Sequence, residues 1–307
     1  MCMEHIIETK NLTKQYGTST VVNNFNLHVP KGKIYGLLGR NGAGKTTTMK
    51  MILQLVKPTA GTIRLFGMDF RENEHSIYRK VGSIIETPGF YHNLTAYENL
   101  QILGRLRGQE NETEIYKALE IVGLQKEYKK PFGNYSLGMK QRLGIAAAIM
   151  HQPELLILDE PINGLDPIGI SEIRSLFSAL SCDKGTTILI SSHVLSEIEQ
   201  IADFIGVMHE GRLIEEVNMA ELHKRKRRYI EFELSDITVA LNLLESKYQI
   251  TDCSVHGSTI KIFDCTYNLG EINRTFVENG LLVTKIGQSK ENLEDYFSKL
   301  IGGSGIA

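Results

Sequence analysis

What the sequence lacks narrows the field first. No apolar run approaches the ~18 residues of a membrane-spanning helix, and runs such as IYGLLG at 34–39 and LLIL at 155–158 fit interior strands instead. The N-terminal MCMEHIIETK carries a glutamate where a signal peptide would place its apolar stretch. Cysteine is sparse: Cys2, Cys182, Cys253 and Cys265 form no C-x-x-C pair and no Cys/His cluster at metal-ligand spacing. That excludes a disulfide framework and fits a reducing compartment. There is no excess of one charge, since 34 Lys+Arg oppose 36 Asp+Glu for a net −2. Bulk electrostatics therefore give no reason to expect nucleic acid or an anionic membrane as partner. What is present is ordinary core material, 42% hydrophobic and 23% charged over 307 residues, enough for about two domains.

The pattern along the chain is α/β. Segments 5–9, 21–29 and 62–66 alternate like strands with one wet face. Segments 34–38, 155–159 and 186–191 are nearly continuous apolar, as strands buried on both faces of a parallel sheet are. From about 94 to 150 apolar residues recur at helical spacing, as in Ile115, Leu119 and Val122. This predicts a helical insert. A basic run, HKRKRR at 223–228, precedes a second strand-rich part. The expected boundaries are 1–220, a basic linker at 221–228, and an accessory domain at 229–307. Within the latter we expect strands at 229–234, 250–255, 259–263 and 282–286, and helices at 237–246, 269–279 and 293–301. That order suggests a small ferredoxin-like domain.

Gly39-Arg40-Asn41-Gly42-Ala43-Gly44-Lys45-Thr46, followed by Thr47, matches G-x-x-x-x-G-K-[ST] between a buried strand and a helix start. Glycines there let backbone N–H groups approach phosphate oxygens, and the helix N-terminus adds partial positive charge. Lys45 would reach the β- and γ-phosphates and the Thr46 hydroxyl would ligate Mg²⁺. This loop alone leaves kinases, GTPases and many ATPases open. Leu155–Leu158 followed by Asp159-Glu160 delivers two carboxylates to the end of a sheet. Asp159 is placed to hold Mg²⁺ through water, and Glu160 to act as general base toward an attacking water. His193, directly after the strand TTILIS, is a candidate γ-phosphate contact.

Together these motifs resemble the ABC ATPases over about residues 4–220. The deciding element is Tyr135-Ser136-Leu137-Gly138-Met139-Lys140-Gln141-Arg142, standing where that family has its LSGGQ signature. The resemblance implies a P-loop ABC core with an antiparallel β subdomain and helical insert. It also implies ATP and Mg²⁺ as cofactors, and a head-to-tail pair of such chains, identical or closely paralogous. ATP would lie between one phosphate loop and Ser136, Leu137, Gly138 and Met139 of the other chain. Tyr16 takes the position of the adenine-stacking aromatic, and Asp166 that of the loop crossing the dimer interface. The resemblance further implies a separate transmembrane permease, received by the loop after Glu86 and the helical insert, with Phe90, Tyr91 and Tyr97 as candidate anchors. The chain would then be cytoplasmic, held to the inner face of a bacterial membrane through that permease.

Two departures stand out. Leu137 and Met139 replace the usual Gly and Gln of the signature, and Glu86 stands where most of the family has Gln. Ionised glutamate accepts hydrogen bonds without donating. It is a further candidate Mg²⁺ ligand, yet adds negative charge beside a triphosphate. Glu86, YSLGMKQRLGIA and the C-terminal LEDYFSKLIGG resemble the ATPase subunits of bacitracin transporters and lantibiotic self-protection transporters. That resemblance implies export or removal of a peptide antibiotic, with bacitracin favoured by SEIEQIAD, EGRLIEE and FELSD. A soluble ABC ATPase of translation or DNA repair is disfavoured by the single cassette and the want of sustained heptads.

Overall fold

The computed structural model describes residues 4–86, 89–108, 111–225, 228–263, 267–290 and Phe297. The chain divides into two compact units, Met1–Ala220 and Glu221–Gly305.

The first unit opens with β1 (His5–Tyr16), β2 (Ser19–Phe25), β3 (His28–Pro30) and β4 (Ile34–Leu38), followed by α1 (Lys45–Ile52). Next come β5 (Ala60–Leu65), β6 (Met68–Asp69), α2 (Phe70–Lys80) and β7 (Val81–Ile84). α3 (Ala96–Leu106), α4 (Glu112–Ile121) and α5 (Leu137–Ile149) form the helical insert. Then follow β8 (Leu155–Leu158), α6 (Pro167–Lys184), β9 (Thr187–Ser192), α7 (Leu195–Glu199), β10 (Phe204–His209), β11 (Arg212–Asn218) and α8 (Met219–Arg225).

Two sheets result. The larger runs β11-β10-β4-β9-β8-β7, parallel except for β11 at its edge. β4, β8 and β9 are buried at every position, as their unbroken apolar sequences require of strands covered on both faces. The smaller sheet, β2-β1-β5-β6 with β3 on β1, is antiparallel. Ile7, Leu12, Phe25 and Leu27 from it share one core with Tyr35, Leu37, Met49, Leu155 and Ile157. Helix starts are set by side-chain caps. Thr95 forms a capping box with Glu98, Ser136 caps α5, and Asp166 caps α6 with Pro167 in its first turn.

One expected strand is two. Segment 21–29 breaks into β2 and β3 at residues 26–27; just before the break Asn24 adopts φ 51°, and across it Thr9 Oγ1 accepts from Leu27 N at 2.8 Å and donates to Phe25 O at 3.0 Å. A threonine hydroxyl thus supplies what a continuous ladder would have supplied.

The second unit holds β12 (Arg228–Leu234), α9 (Ile237–Tyr248), β13 (Cys253–His256), β14 (Thr259–Ile262), α10 (Leu269–Glu278) and β15 (Val283–Lys290). Its antiparallel sheet, β13-β14-β12-β15, together with the βαββαβ order, is a ferredoxin-like arrangement. Ile230, Phe232 and Leu234 alternate into a core with Ala240, Leu244, Ile260, Ile262, Ile272 and Phe276. The basic run expected as a linker at 221–228 is instead helical through Arg225, and β12 begins at Arg228. The helix expected at 293–301 lies outside the described residues apart from Phe297.

Candidate functional site

Three neighbouring strands of the larger sheet deliver the polar residues. β4 ends at Leu38, β9 at Ser192 and β8 at Leu158, so the phosphate-loop sequence, Ser191 and the Asp159-Glu160 pair emerge at one end of the sheet. The loop needs glycine at 44, where φ is 107° and a β-carbon would lie 2.7 Å from Met208 Cε and 2.8 Å from Val21 O. Gly44 then caps α1, whose first residue is Lys45. Behind the loop, Gly211 N donates to Ala43 O at 2.9 Å and Ala43 N to Arg40 O at 3.0 Å. A cavity of about 610 Å3 lies in front, lined by Arg40, Asn41, Gly42, Ala43, His193, His209 and Glu210.

Lys45 is 6% exposed. Its ammonium donates to Gly39 O at 2.6 Å and Arg40 O at 3.3 Å, and lies 3.3 Å from Glu160 Oε1. Thr46, followed by Thr47 on α1, donates its hydroxyl to Asp159 Oδ2 at 2.7 Å. Ser191 Oγ donates to the other oxygen, Asp159 Oδ1, at 2.6 Å and accepts from Glu160 N at 2.9 Å. Glu160 itself sits at φ 49°, a strained backbone of the kind found at functional positions. Its Oε2 lies 2.8 Å from His193 Nδ1. Behind His193, burial raises the Glu197 carboxyl above its ordinary value, against the lowering effect of a hydrogen bond from Ser192 Oγ at 3.2 Å.

The structure therefore brings Lys45, Thr46, Asp159, Glu160 and His193 into one connected network. The other marked residues have contacts of their own. Asp159 N donates to Ile84 O at 2.8 Å, which sets the end of β7, and Glu86 follows two residues on. Glu86 Oε1 is 2.5 Å from Lys50 Nζ. Tyr16 is 49% exposed at the end of β1, with Lys14 Nζ 4.8 Å from its ring centroid. The contacts of 136–139 run elsewhere, to the turn before α6. A β-carbon on Gly164 would lie 2.9 Å from Leu137 Cδ2, and one on Gly138 3.4 Å from Leu165 Cδ2. Ser136 Oγ accepts from Met139 N at 3.3 Å, and Asp166 Oδ1 from Gly169 N at 3.0 Å.

Ser191 and Lys50 are the residues that motif reasoning passes over. The signal for Ser191 was available: a polar side chain ending a buried apolar strand must find partners.

The site fits ATP with Mg²⁺. Among the described residues no three His, Cys, Asp or Glu side chains gather as a metal cage. One carboxylate and one hydroxyl in direct contact, beside a nearly buried ammonium and a loop of backbone N–H groups, suit a cation that keeps waters and shares phosphate oxygens.

Comparison with known proteins decides the family. A family model described as ABC transporter matches residues 22–163. The bacitracin transport ATP-binding protein BcrA of Enterococcus faecalis is 71% identical over 100% of both chains. The chain belongs to the ABC transporter ATP-binding subunits. It is an ATP-binding and ATP-hydrolysing protein that powers transport. The BcrA of Bacillus licheniformis is 54% identical over 99% of this chain and 100% of its own. The lantibiotic transport ATP-binding protein SrtF of Streptococcus pyogenes is 48% identical over 68% of this chain and 89% of its own. Among solved structures, the ATP-binding subunit of an ABC transporter superposes with TM-score 0.64 at 30% identity, covering 72% of this chain and 92% of that one. The cbiO1 protein of Clostridium perfringens, part of the ABC transporter complex cbiONQ, gives TM-score 0.65 at 25% identity, covering 80% of this chain and 97% of its own. The P-loop core, antiparallel subdomain and helical insert of this ABC subunit are thus those of its structural neighbours. No helix among its described residues is long and apolar enough to cross a membrane.

Proposed function

We propose that this subunit powers removal of a peptide antibiotic, bacitracin, through a separate membrane permease, and so confers resistance. The observation carrying this reading is identity of 71% to a bacitracin transport subunit along the entire chain, second unit included, whereas the lantibiotic relative spans 68% of it. A lantibiotic cargo is the second reading, favoured by that 48% match. The protein works as a pair of chains, with itself or a close paralogue, in the cytoplasm on the inner face of the membrane. Residues 1–220 form the motor and 229–307 the accessory domain. The stretch around 90–97 contacts the permease.

Bound ATP and Mg²⁺ supply the phosphoryl group and the charge neutralisation that its transfer to water needs. Lys45, resting on Gly39 O and Glu160, turns its ammonium to the phosphates. That frees Glu160 Oε1 to accept a proton from water, while His193 keeps hold of Oε2 and contacts the γ-phosphate. Thr46 and Asp159 would hold the cation, being already oriented by each other and by Ser191. The glycines and N–H groups of 39–44 cradle phosphate, and Tyr16 stacks on adenine. Ser136, Leu137, Gly138 and Met139 of one chain close on the nucleotide of the other, with Asp166 at the seam.

The experiment is bacitracin and lantibiotic tolerance of a sensitive bacterium expressing this chain with its membrane partner, as wild type or Glu160→Gln. We expect bacitracin tolerance that vanishes with Glu160→Gln, which removes the base and lowers hydrolysis by about two to four orders of magnitude. Protection against lantibiotics alone would favour the second reading, and protection against neither would remove the cargo assignment.

A further inference from the structure

We propose that Lys50 is a positioning residue for Glu86, and that the two together fill the place that a neutral glutamine fills in most of the family. The inference rests on the nucleotide-site reading above. Thr46 and Lys50 lie one turn apart on the same face of α1. From that face Thr46 reaches Asp159 at 2.7 Å and Lys50 reaches Glu86 at 2.5 Å. β7 brings Glu86 to this spot, since Ile84 pairs with Leu158 and accepts from Asp159 N. Glu86 leaves the strand at φ 63°, so its backbone turns left-handed as its side chain meets the helix.

The pair is not a stability device. The Glu86 side chain is 65% exposed and that of Lys50 30%, and exposed ion pairs contribute little to folding. Its effect is on charge and direction. Unneutralised, the carboxylate would stand beside a triphosphate and repel it. Held by an ammonium, the pair carries no net charge, as a glutamine side chain does, while one carboxylate oxygen stays available to accept from a water or to meet the cation.

A four-cornered comparison on the full-length protein tests this: wild type, Lys50→Ala, Glu86→Gln and the double substitution, with ATPase rates followed against MgATP concentration. We expect Lys50→Ala to raise KM about tenfold while kcat stays within about twofold, a KM change equivalent to ~1.4 kcal/mol. In the Glu86→Gln background the same Lys50→Ala step should move KM less than about twofold, because no carboxylate remains to be neutralised. Lys50→Arg should keep the wild-type KM. An unchanged KM in Lys50→Ala, or an equal rise with and without Glu86, would overturn the proposal. Glu160→Gln run alongside separates the two questions. Normal hydrolysis by that variant would fault the site assignment itself, whereas the Lys50 cycle reports only on the pair.

Discussion

Ser191→Ala probes the least obvious joint of the site. The hydroxyl removed donates to Asp159 Oδ1 and accepts from Glu160 N, in surroundings where Ser191 is 1% and Asp159 7% exposed. Losing a hydrogen bond to a buried carboxylate costs ~1.5–3 kcal/mol, and an orphaned N–H costs ~1–3 kcal/mol when water cannot reach it. Glu160 is only half-buried, so its N–H recovers part of that from solvent, and we take about 2–4 kcal/mol in total. For a unit of this size each kcal/mol moves the midpoint by about 2–4 °C, giving a drop of roughly 5–15 °C. Calorimetry without nucleotide reads it directly. Half-saturation of the ATPase by Mg²⁺ should rise in the same variant, since Asp159 loses the contact fixing its second oxygen. A midpoint within about 1 °C of wild type would refute the reasoning, because Ser191 would then not be holding the carboxylate.

Gly44→Ala should abolish nucleotide binding, read by titration calorimetry, and lower stability by about 1–3 kcal/mol. The new methyl would meet Met208 and Val21 at φ 107°, and wild-type affinity would show that the loop has another geometry. His151 carries a pH prediction. Burial and the neighbouring Arg107 lower its pKa from 6.5 to about 4, and its Nδ1 is buried without a partner among the described residues. The folded protein thus refuses a proton that the unfolded chain accepts, so stability is whole above 6.5 and declines as pH falls through about 4. Urea midpoints should fall less steeply over that window in His151→Gln, and identical slopes would count against the assignment.

Much of the site was legible because its chemistry demands a fixed order of residue types. The phosphate loop between a buried strand and a helix, and two acids ending another buried strand, leave few alternatives in one chain. What escaped depends on lateral neighbours. β9 lies between β4 and β8, and nothing linear says that Ser191 would therefore stand between the loop and Asp159. Lys50 escaped likewise, since its partner lies 36 positions along the chain, just past the end of β7. In the fold, turn chemistry was the obscure part. An alternating stretch such as 21–29 gives no warning that Asn24 will go left-handed, and HKRKRR at 223–228 has the charge of a linker yet starts as helix. The expectation of a ferredoxin-like order in the second unit rested on periodicity over six short elements, and only the pairing of β12 with both β14 and β15 fixes it.

The Leu137 contact bears on how such a protein can be re-engineered. Restoring the family's glycine at 137 looks like a repair toward consensus. Here it would remove the side chain that lies over Gly164, and leave Leu165 facing the bare α5 start at Gly138. The starts of α5 at Ser136 and α6 at Asp166 would lose that contact between their flanking segments. A consensus signature grafted into this chain would therefore need compensating bulk in the 163–165 turn, and the two segments are best exchanged as one cassette.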